Sequence, residues 1–222
     1  MEPIKAKKGE IFDIELEEDL LKKNEELARQ NRKILEEYKV LAIDIMGSIG
    51  TGKTSLIKSL IFHLKGKYGI GVIAGDLTTT IDADRIEKEG IKVVQVNTGK
   101  ECHLDANLIR KALRKFNLTS LDLLFIENVG NLICPADFPL GSHRRVVVVS
   151  VTEGPWMVRK HPYIFSEADV VVINKIDLAE AMKVSPEKLA EDLYKINPGV
   201  RIIPANCIAG KGIKEIIQAL SF

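Results

Sequence analysis

The run Gly47-Ser48-Ile49-Gly50-Thr51-Gly52-Lys53-Thr54 places three glycines, a lysine and a hydroxyl at the spacing of a loop that cradles a phosphate chain. Gly47, Gly50 and Gly52 let backbone N–H groups close around an anion. Lys53 can reach the β- and γ-phosphates, and the Thr54 hydroxyl can hold Mg²⁺. Thr51 and Ser55 complete the loop and the turn behind it. The expected ligand is a nucleoside triphosphate.

A second element names the base. Asn174-Lys175-Ile176-Asp177 follows the apolar run Val170–Ile173. The Asp177 carboxylate can accept from both the ring N–H and the exocyclic amine of guanine; adenine lacks that donor pair and would leave the acceptor unmatched. Asn174 can tie the loop down and reach the purine. Asn and Asp are also common in solvated turns that open a helix, but beside the upstream phosphate loop the guanine reading is the stronger one. Ala205-Asn206-Cys207 stands where many GTPases carry Ser-Ala-Lys, so Asn206 and the backbone N–H of Cys207 are expected to form the second wall of a GTP/GDP site. The Cys207 side chain itself reads as a small structural residue.

Magnesium needs hard oxygen ligands and keeps several waters. Glu127 begins Glu127-Asn128-Val129-Gly130, in the place of the usual Asp-x-x-Gly, and Gly130 is expected to offer its N–H to the γ-phosphate. A second carboxylate comes from Asp76 or from Asp82, the latter inside Thr78-Thr79-Thr80-Ile81-Asp82-Ala83-Asp84, a segment expected to be a switch. The competing reading makes Asp82 a helix cap. Lys53, Asp76, Asp82 and Glu127 are the candidate catalytic residues, with Thr54, Asp76, Asp82 and Glu127 as candidate magnesium ligands.

Cys102-His103 and Cys134-Pro135 both lie shortly beyond apolar runs, which in a parallel sheet brings Cys102, His103 and Cys134 to the same edge as the phosphate loop. Thiolates and an imidazole suit zinc, nickel or copper(I). Three ligands are one fewer than a closed tetrahedral site, so an open position or a site shared across a homodimer is expected. No C-x-x-C pair strengthens the pattern, and isolated cysteines are more often plain packing residues.

These residues need a scaffold. Short apolar runs at Val40–Met46, Ile70–Ala74, Val93–Val96, Leu121–Ile126, Val146–Val151, Val170–Ile173 and Ile202–Ile203 alternate with helical segments. Such runs predict an α/β fold, a mainly parallel sheet with helices on both faces, and ligands at the strands' C-terminal ends. Glu15 to Tyr38 reads as a charged helix with apolar columns at Leu20, Leu27, Ile34 and at Leu21, Ala28, Leu35; its roughly three heptads are near the minimum for a coiled coil, and packing on the domain is the expected arrangement. The expected division is 1–38, an N-terminal extension and helix, and 39–222, the P-loop GTPase domain.

With 32 basic and 31 acidic residues the net charge is +1, which recommends neither nucleic acid nor a membrane surface as partner. No apolar run approaches the roughly 20 residues of a membrane span, and the N-terminus is too polar for a secretory signal, so a cytoplasmic protein is expected. Three cysteines argue against a disulfide framework.

Gly47 to Thr54, Glu127-Asn128-Val129-Gly130-Asn131-Leu132-Ile133-Cys134-Pro135, Asn174 to Asp177 and Cys102-His103 together resemble the HypB family of hydrogenase nickel-incorporation GTPases, over about residues 20 to 222. The resemblance implies a SIMIBI-class P-loop GTPase that forms a homodimer on binding GTP and hydrolyses it slowly. It would help deliver nickel to the large-subunit precursor of [NiFe]-hydrogenase alongside a HypA-type nickel chaperone. It further implies that Cys102, His103 and Cys134 form an interface site for nickel or zinc. Lys160 matches the lysine that family members reach across the dimer toward the nucleotide, although Pro155-Trp156-Met157-Val158-Arg159 before it departs from the usual loop. The chain lacks the cysteine motif and histidine-rich stretch with which some members store nickel, so storage is not expected. The urease accessory GTPase carries a contiguous Cys-Pro-His, whereas this chain has Glu101-Cys102-His103 and a separate Cys134. A P-loop small-molecule kinase would need an acceptor pocket and no base-reading Asn174 and Asp177.

Overall fold

The computed structural model describes residues 14–76, 81–99 and 101–221, and side chains from residue 19 onward except those of Ile81 and Asp82. The start of the N-terminal extension, Thr78 to Thr80 of the expected switch, Lys100 and the Asp82 side chain lie outside the described residues.

All seven apolar runs become strands: β1 (Leu41–Met46), β2 (Ile70–Asp76), β3 (Lys92–Asn97), β4 (Leu123–Glu127), β5 (Arg144–Ser150), β6 (Val170–Asn174) and β7 (Arg201–Pro204). They form one sheet in the order β3-β2-β4-β1-β5-β6-β7. Every pairing in it is parallel. Parallel neighbours require crossovers, supplied here by helices on both faces. Among the described residues the α-helices are, in chain order, α1 (Ile14–Glu37), α2 (Lys53–Leu64), α3 (Ile81–Glu87), α4 (Ala106–Leu113), α5 (Cys134–Asp137), α6 (Met157–Lys160), α7 (Pro162–Ser166), α8 (Ala179–Met182), α9 (Pro186–Ile196) and α10 (Ile213–Leu220), of which α1 precedes the first strand and α10 follows the last.

Strand alternation divides the core. Ile43, Ile45, Val146 and Val148 pack with Leu56, Leu60 and Ile61 of α2 and with Ile213 and Ile216 of α10. On the opposite face Met46, Val147 and Val149 meet Val158, Phe165, Leu189 and Leu193. Ala42, Leu124 and Ile126 meet Leu35 of α1 and Ile109 and Leu113 of α4. Strands buried on both faces read as continuous apolar runs, which is why they are visible in the sequence.

Helix α1 departs from its expected stripe. Ala28 and Leu35 of the second apolar column face inward, but Asn24 and Asn31 join them on the buried face while Leu20 of the first column is 55% exposed. The asparagines are buried because their amides satisfy backbone groups. Asn24 Nδ2 donates to Pro139 O at 2.9 Å, and Asn24 Oδ1 accepts from Ala106 N at 2.8 Å. Asn31 Nδ2 donates to Ala106 O at 2.7 Å and Leu140 O at 3.2 Å. Asn31 Oδ1 is buried without a hydrogen-bond donor, a desolvation cost of about 1–3 kcal/mol.

Candidate nucleotide and metal site

The C-terminal strand ends converge. Ile45 of β1 pairs with Glu127 of β4, and Ala74 of β2 pairs with the same Glu127, so the phosphate loop after β1, Glu127 and Asp76 share one edge. A cavity of about 380 Å³ opens there, lined among others by Gly50, Gly52, Lys53, Thr54, Ser55, Asp76, Glu127, Gly130 and Lys175. Lys53 is buried and its Nζ donates to Gly47 O and Ser48 O, each at 3.0 Å, which holds the ammonium over the loop. Thr54 Oγ1 donates to Glu127 Oε1 at 2.7 Å. A hydroxyl and a carboxylate facing each other beside a phosphate-binding loop are hard oxygen donors of the kind magnesium takes.

The loop after β6 is fastened to the phosphate loop by Asn174 and Lys175. Asn174 Nδ2 donates to Thr51 O at 2.7 Å, and Asn174 Oδ1 accepts from Cys207 N at 3.0 Å. Gly52 has a φ of 104°, and a Cβ there would lie 2.3 Å from Asn174 Nδ2, so the approach requires glycine. Lys175, itself at φ 61°, donates from Nζ to Gly50 O at 2.7 Å. Asp177 is exposed at the turn that follows. Asn206 accepts from Ala209 N through Oδ1 at 3.0 Å, shaping the second wall. The Cys207 N–H serves Asn174 in this arrangement. The Cys207 thiol is buried in the core, which pushes its pKa up to about 12 and leaves it without thiolate character.

Cys102, His103 and Cys134 come together, with one donor atom from each lying within 4.8 Å of the others. Cys102 Sγ lies 2.8 Å from Cys134 Sγ and 4.0 Å from His103 Nδ1. The His103 ring stacks on Phe138 with centroids 3.8 Å apart. Burial lowers the His103 pKa below its ordinary value against the pull of Glu101, Asp105 and Asp137, so the imidazole is neutral and able to ligate. Burial first, then the Cys102 hydrogen bond, raises the Cys134 pKa; Asn131 opposes the shift.

Residues given no separate role in the sequence join the two sites. Asn128 is fully buried. Its Oδ1 accepts from Leu104 N at 3.2 Å, and its Nδ2 donates to Asp44 Oδ1 at 3.2 Å. Asn131 donates from Nδ2 to Cys102 O at 3.3 Å and forms a bridge with Gly47 of the phosphate loop. Asp44, inside β1, has its pKa raised to about 7 by burial, against the pull of Arg145 and Asn128. The one signal for these residues is polarity inside or directly after an apolar strand, where a charge or amide must find a partner. Lys160 is exposed at the end of α6. The adjacent Arg159 makes a two-point contact with buried Asp192, at 2.7 and 2.9 Å, that fixes α6 on α9.

Residues 41–204 match the family described as CobW/HypB/UreG, nucleotide-binding domain. A probable hydrogenase maturation factor HypB from Methanocaldococcus jannaschii is 51% identical over 205 residues, covering 92% of this chain and 93% of that protein. The crystal structure of hydrogenase maturation factor HypB from Archaeoglobus fulgidus superposes with a TM-score of 0.84 at 49% identity, covering 89% of this chain and 97% of that one. HypB from Helicobacter pylori, solved in complex with nickel, gives a TM-score of 0.85 at 33% identity, with 89% and 93% covered. The chain belongs to the HypB family of hydrogenase nickel-maturation GTPases, in the SIMIBI class of P-loop proteins.

Proposed function

We propose that this chain, a GTP-hydrolysing member of the family that handles nickel in hydrogenase maturation, uses GTP occupancy to time the holding and release of a metal ion at Cys102, His103 and Cys134. The observation that carries this reading is the junction of the two sites, in which Leu104 N, next to His103, bonds to the side chain that follows Glu127.

The guanine is read by Asp177, with Asn174 and Lys175 fixing the loop and Asn206 and Cys207 walling its far side. The phosphates lie against Gly47 to Ser55, with Lys53 on the β- and γ-groups and the Gly130 N–H turned to the γ-phosphate. Thr54 and Glu127, with Asp76 or Asp82, would hold Mg²⁺, which neutralises charge on the phosphate oxygens when bound. Water attacks the γ-phosphorus in line, the bond to the β-phosphate oxygen breaks, and GDP and phosphate result. Asp76 and Asp82 are the candidates for orienting that water.

Nickel or zinc is the cargo. Both Cys102 and Cys134 must bind as thiolates and His103 as neutral imidazole. Three donors leave a position open for a second copy of the chain or for the receiving protein. A homodimer formed on GTP binding, with Lys160 reaching toward the partner's nucleotide, completes the device. A HypA-type nickel chaperone and the hydrogenase large-subunit precursor are the expected partners. Among the described residues no helix is long and apolar enough to cross a membrane.

Two measurements test the reading. Phosphate should appear from GTP with no acceptor present; a requirement for an acceptor would identify a kinase instead. A Cys102→Ala/Cys134→Ala variant should lose high-affinity nickel and zinc binding, and parent-like affinity in that variant would remove the metal assignment.

A further inference from the structure

Helix α1 reaches both segments that carry the metal donors. Ala106, three residues after His103, gives its N–H to Asn24 Oδ1 at 2.8 Å and its carbonyl to Asn31 Nδ2 at 2.7 Å. Pro139 and Leu140, five and six residues after Cys134, give their carbonyls to the same two side chains, at 2.9 Å to Asn24 and 3.2 Å to Asn31. Each asparagine therefore bridges the two segments, and the pair sits seven residues apart on one face of the helix. Gly141 continues the second segment at φ 91°, and a Cβ there would lie 2.4 Å from Ala28 O, so this chain rests directly on the helix backbone. Phe138, the residue before Pro139, stacks on the His103 ring.

Packing alone does not call for this arrangement. Leucine or alanine at these positions would bury surface but would take these partners from the Ala106 N–H and from the Ala106, Pro139 and Leu140 carbonyls. What an apolar side chain could not do is hydrogen-bond to both segments at once, as Asn24 does by accepting from Ala106 N and donating to Pro139 O and Asn31 does by donating to Ala106 O and Leu140 O. We propose that Asn24 and Asn31 are positioning residues for the metal site, fixing the separation of the Cys102–His103 segment from the Cys134 segment so that α1 sets the spacing of the three donors. The inference rests on the assignment of Cys102, His103 and Cys134 as metal ligands. A donor set held near its bound geometry binds more tightly because less ordering is left to be done on binding.

The test uses the full chain with Zn²⁺ alone, in competition with a chromophoric chelator, and with Co²⁺ alone, read by its thiolate charge-transfer and ligand-field absorption. Asn24→Ala and Asn31→Ala should each weaken Zn²⁺ binding by about 10-fold or more, the range found for residues that orient metal ligands. Both should change the Co²⁺ spectrum, while GDP affinity stays within about 2-fold of the parent. Asn24→Asp keeps the acceptor for Ala106 N and removes the donor to Pro139 O. It carries the test if the alanine variants do not fold. Parent-like Zn²⁺ affinity and Co²⁺ spectra would overturn the inference, as would a loss of Zn²⁺ affinity that merely follows an equal loss of GDP affinity and thermal stability. Failure of the parent itself to bind Zn²⁺ or Co²⁺ would instead contradict the ligand assignment, and the positioning role would fall with it.

Discussion

Asn128 Oδ1 accepts the Leu104 N–H at 3.2 Å, so the residue after Glu127 is bonded to the residue after His103. One buried amide thus joins the strand end that carries Glu127 to the segment that carries Cys102 and His103. A ligand shifts a conformational equilibrium only by its differential affinity for the two states, so coupling between nucleotide and metal needs such a physical link. Asn128→Ala should bring the ratio of metal affinities measured with GDP and with a non-hydrolysable GTP analogue toward one. An unchanged ratio in a folded variant would place the coupling elsewhere.

The contact between Thr54 and Glu127 predicts a defect in hydrolysis more than in nucleotide binding. Thr54→Ala removes the hydroxyl and Glu127→Gln the carboxylate charge from the proposed magnesium position, and hydrolysis should fall by about 100-fold. GDP binding measured with magnesium chelated should change little. Single-turnover phosphate release, compared with that binding, separates the two effects.

Asp177 predicts base specificity. Asp177→Asn replaces an acceptor with an amide and should cut the preference for GTP over ATP by about 10- to 100-fold, from the value of hydrogen bonds to a charged group. It should also gain affinity for xanthosine nucleotides, whose extra carbonyl can accept from the new amide. Competition binding with the three nucleotides reads both changes.

Metal binding should weaken in acid. The Cys134 thiol holds its proton above its ordinary pKa, and His103 is neutral above its own lowered value. A metal ion must therefore displace the Cys134 proton, while His103 releases none near neutrality. The Zn²⁺ dissociation constant should rise about 10-fold for each pH unit lost between about 8 and 6.5, for each thiol proton displaced. Titrations in buffers of different ionisation enthalpy count those protons, and a pH-independent constant would contradict the assignment.

Asp44 gives a stability prediction with a definite sign. Its folded pKa is raised from 3.8 to about 7, so the folded chain keeps a proton that the unfolded chain loses. The group favours folding in acid, and that contribution declines as pH rises from about 3.8 to about 7. Asp44→Asn removes the titration while leaving an oxygen to accept from Asn128. Relative to the parent, the variant should gain about 2–3 kcal/mol more at about pH 8 than at about pH 5 in urea unfolding.

The sheet is legible in the sequence because β5 and β6 carry the unbroken apolar runs Val146–Val149 and Val170–Ile173, buried on both faces. Gly47 to Thr54 is legible because phosphate chemistry leaves few choices of residue. The asparagines are not. Asn24 and Asn31 sit in a helix that reads as polar and charged, and their burial follows from Ala106, Pro139 and Leu140, which lie 75 or more residues away. Cys102 and Cys134 show the same limit from the other side: their residue types suggest a metal, but only the fold brings the sulfurs to 2.8 Å.

Native mass determination with metal analysis, on nickel-exposed protein with GDP and then with a non-hydrolysable GTP analogue, separates nucleotide-timed metal handling from two independent binding sites. A monomer is expected with GDP and a dimer with the analogue, with nickel content that changes between them and is lost in the Cys102→Ala/Cys134→Ala variant. The same mass and the same nickel content with both nucleotides would contradict nucleotide-timed metal handling.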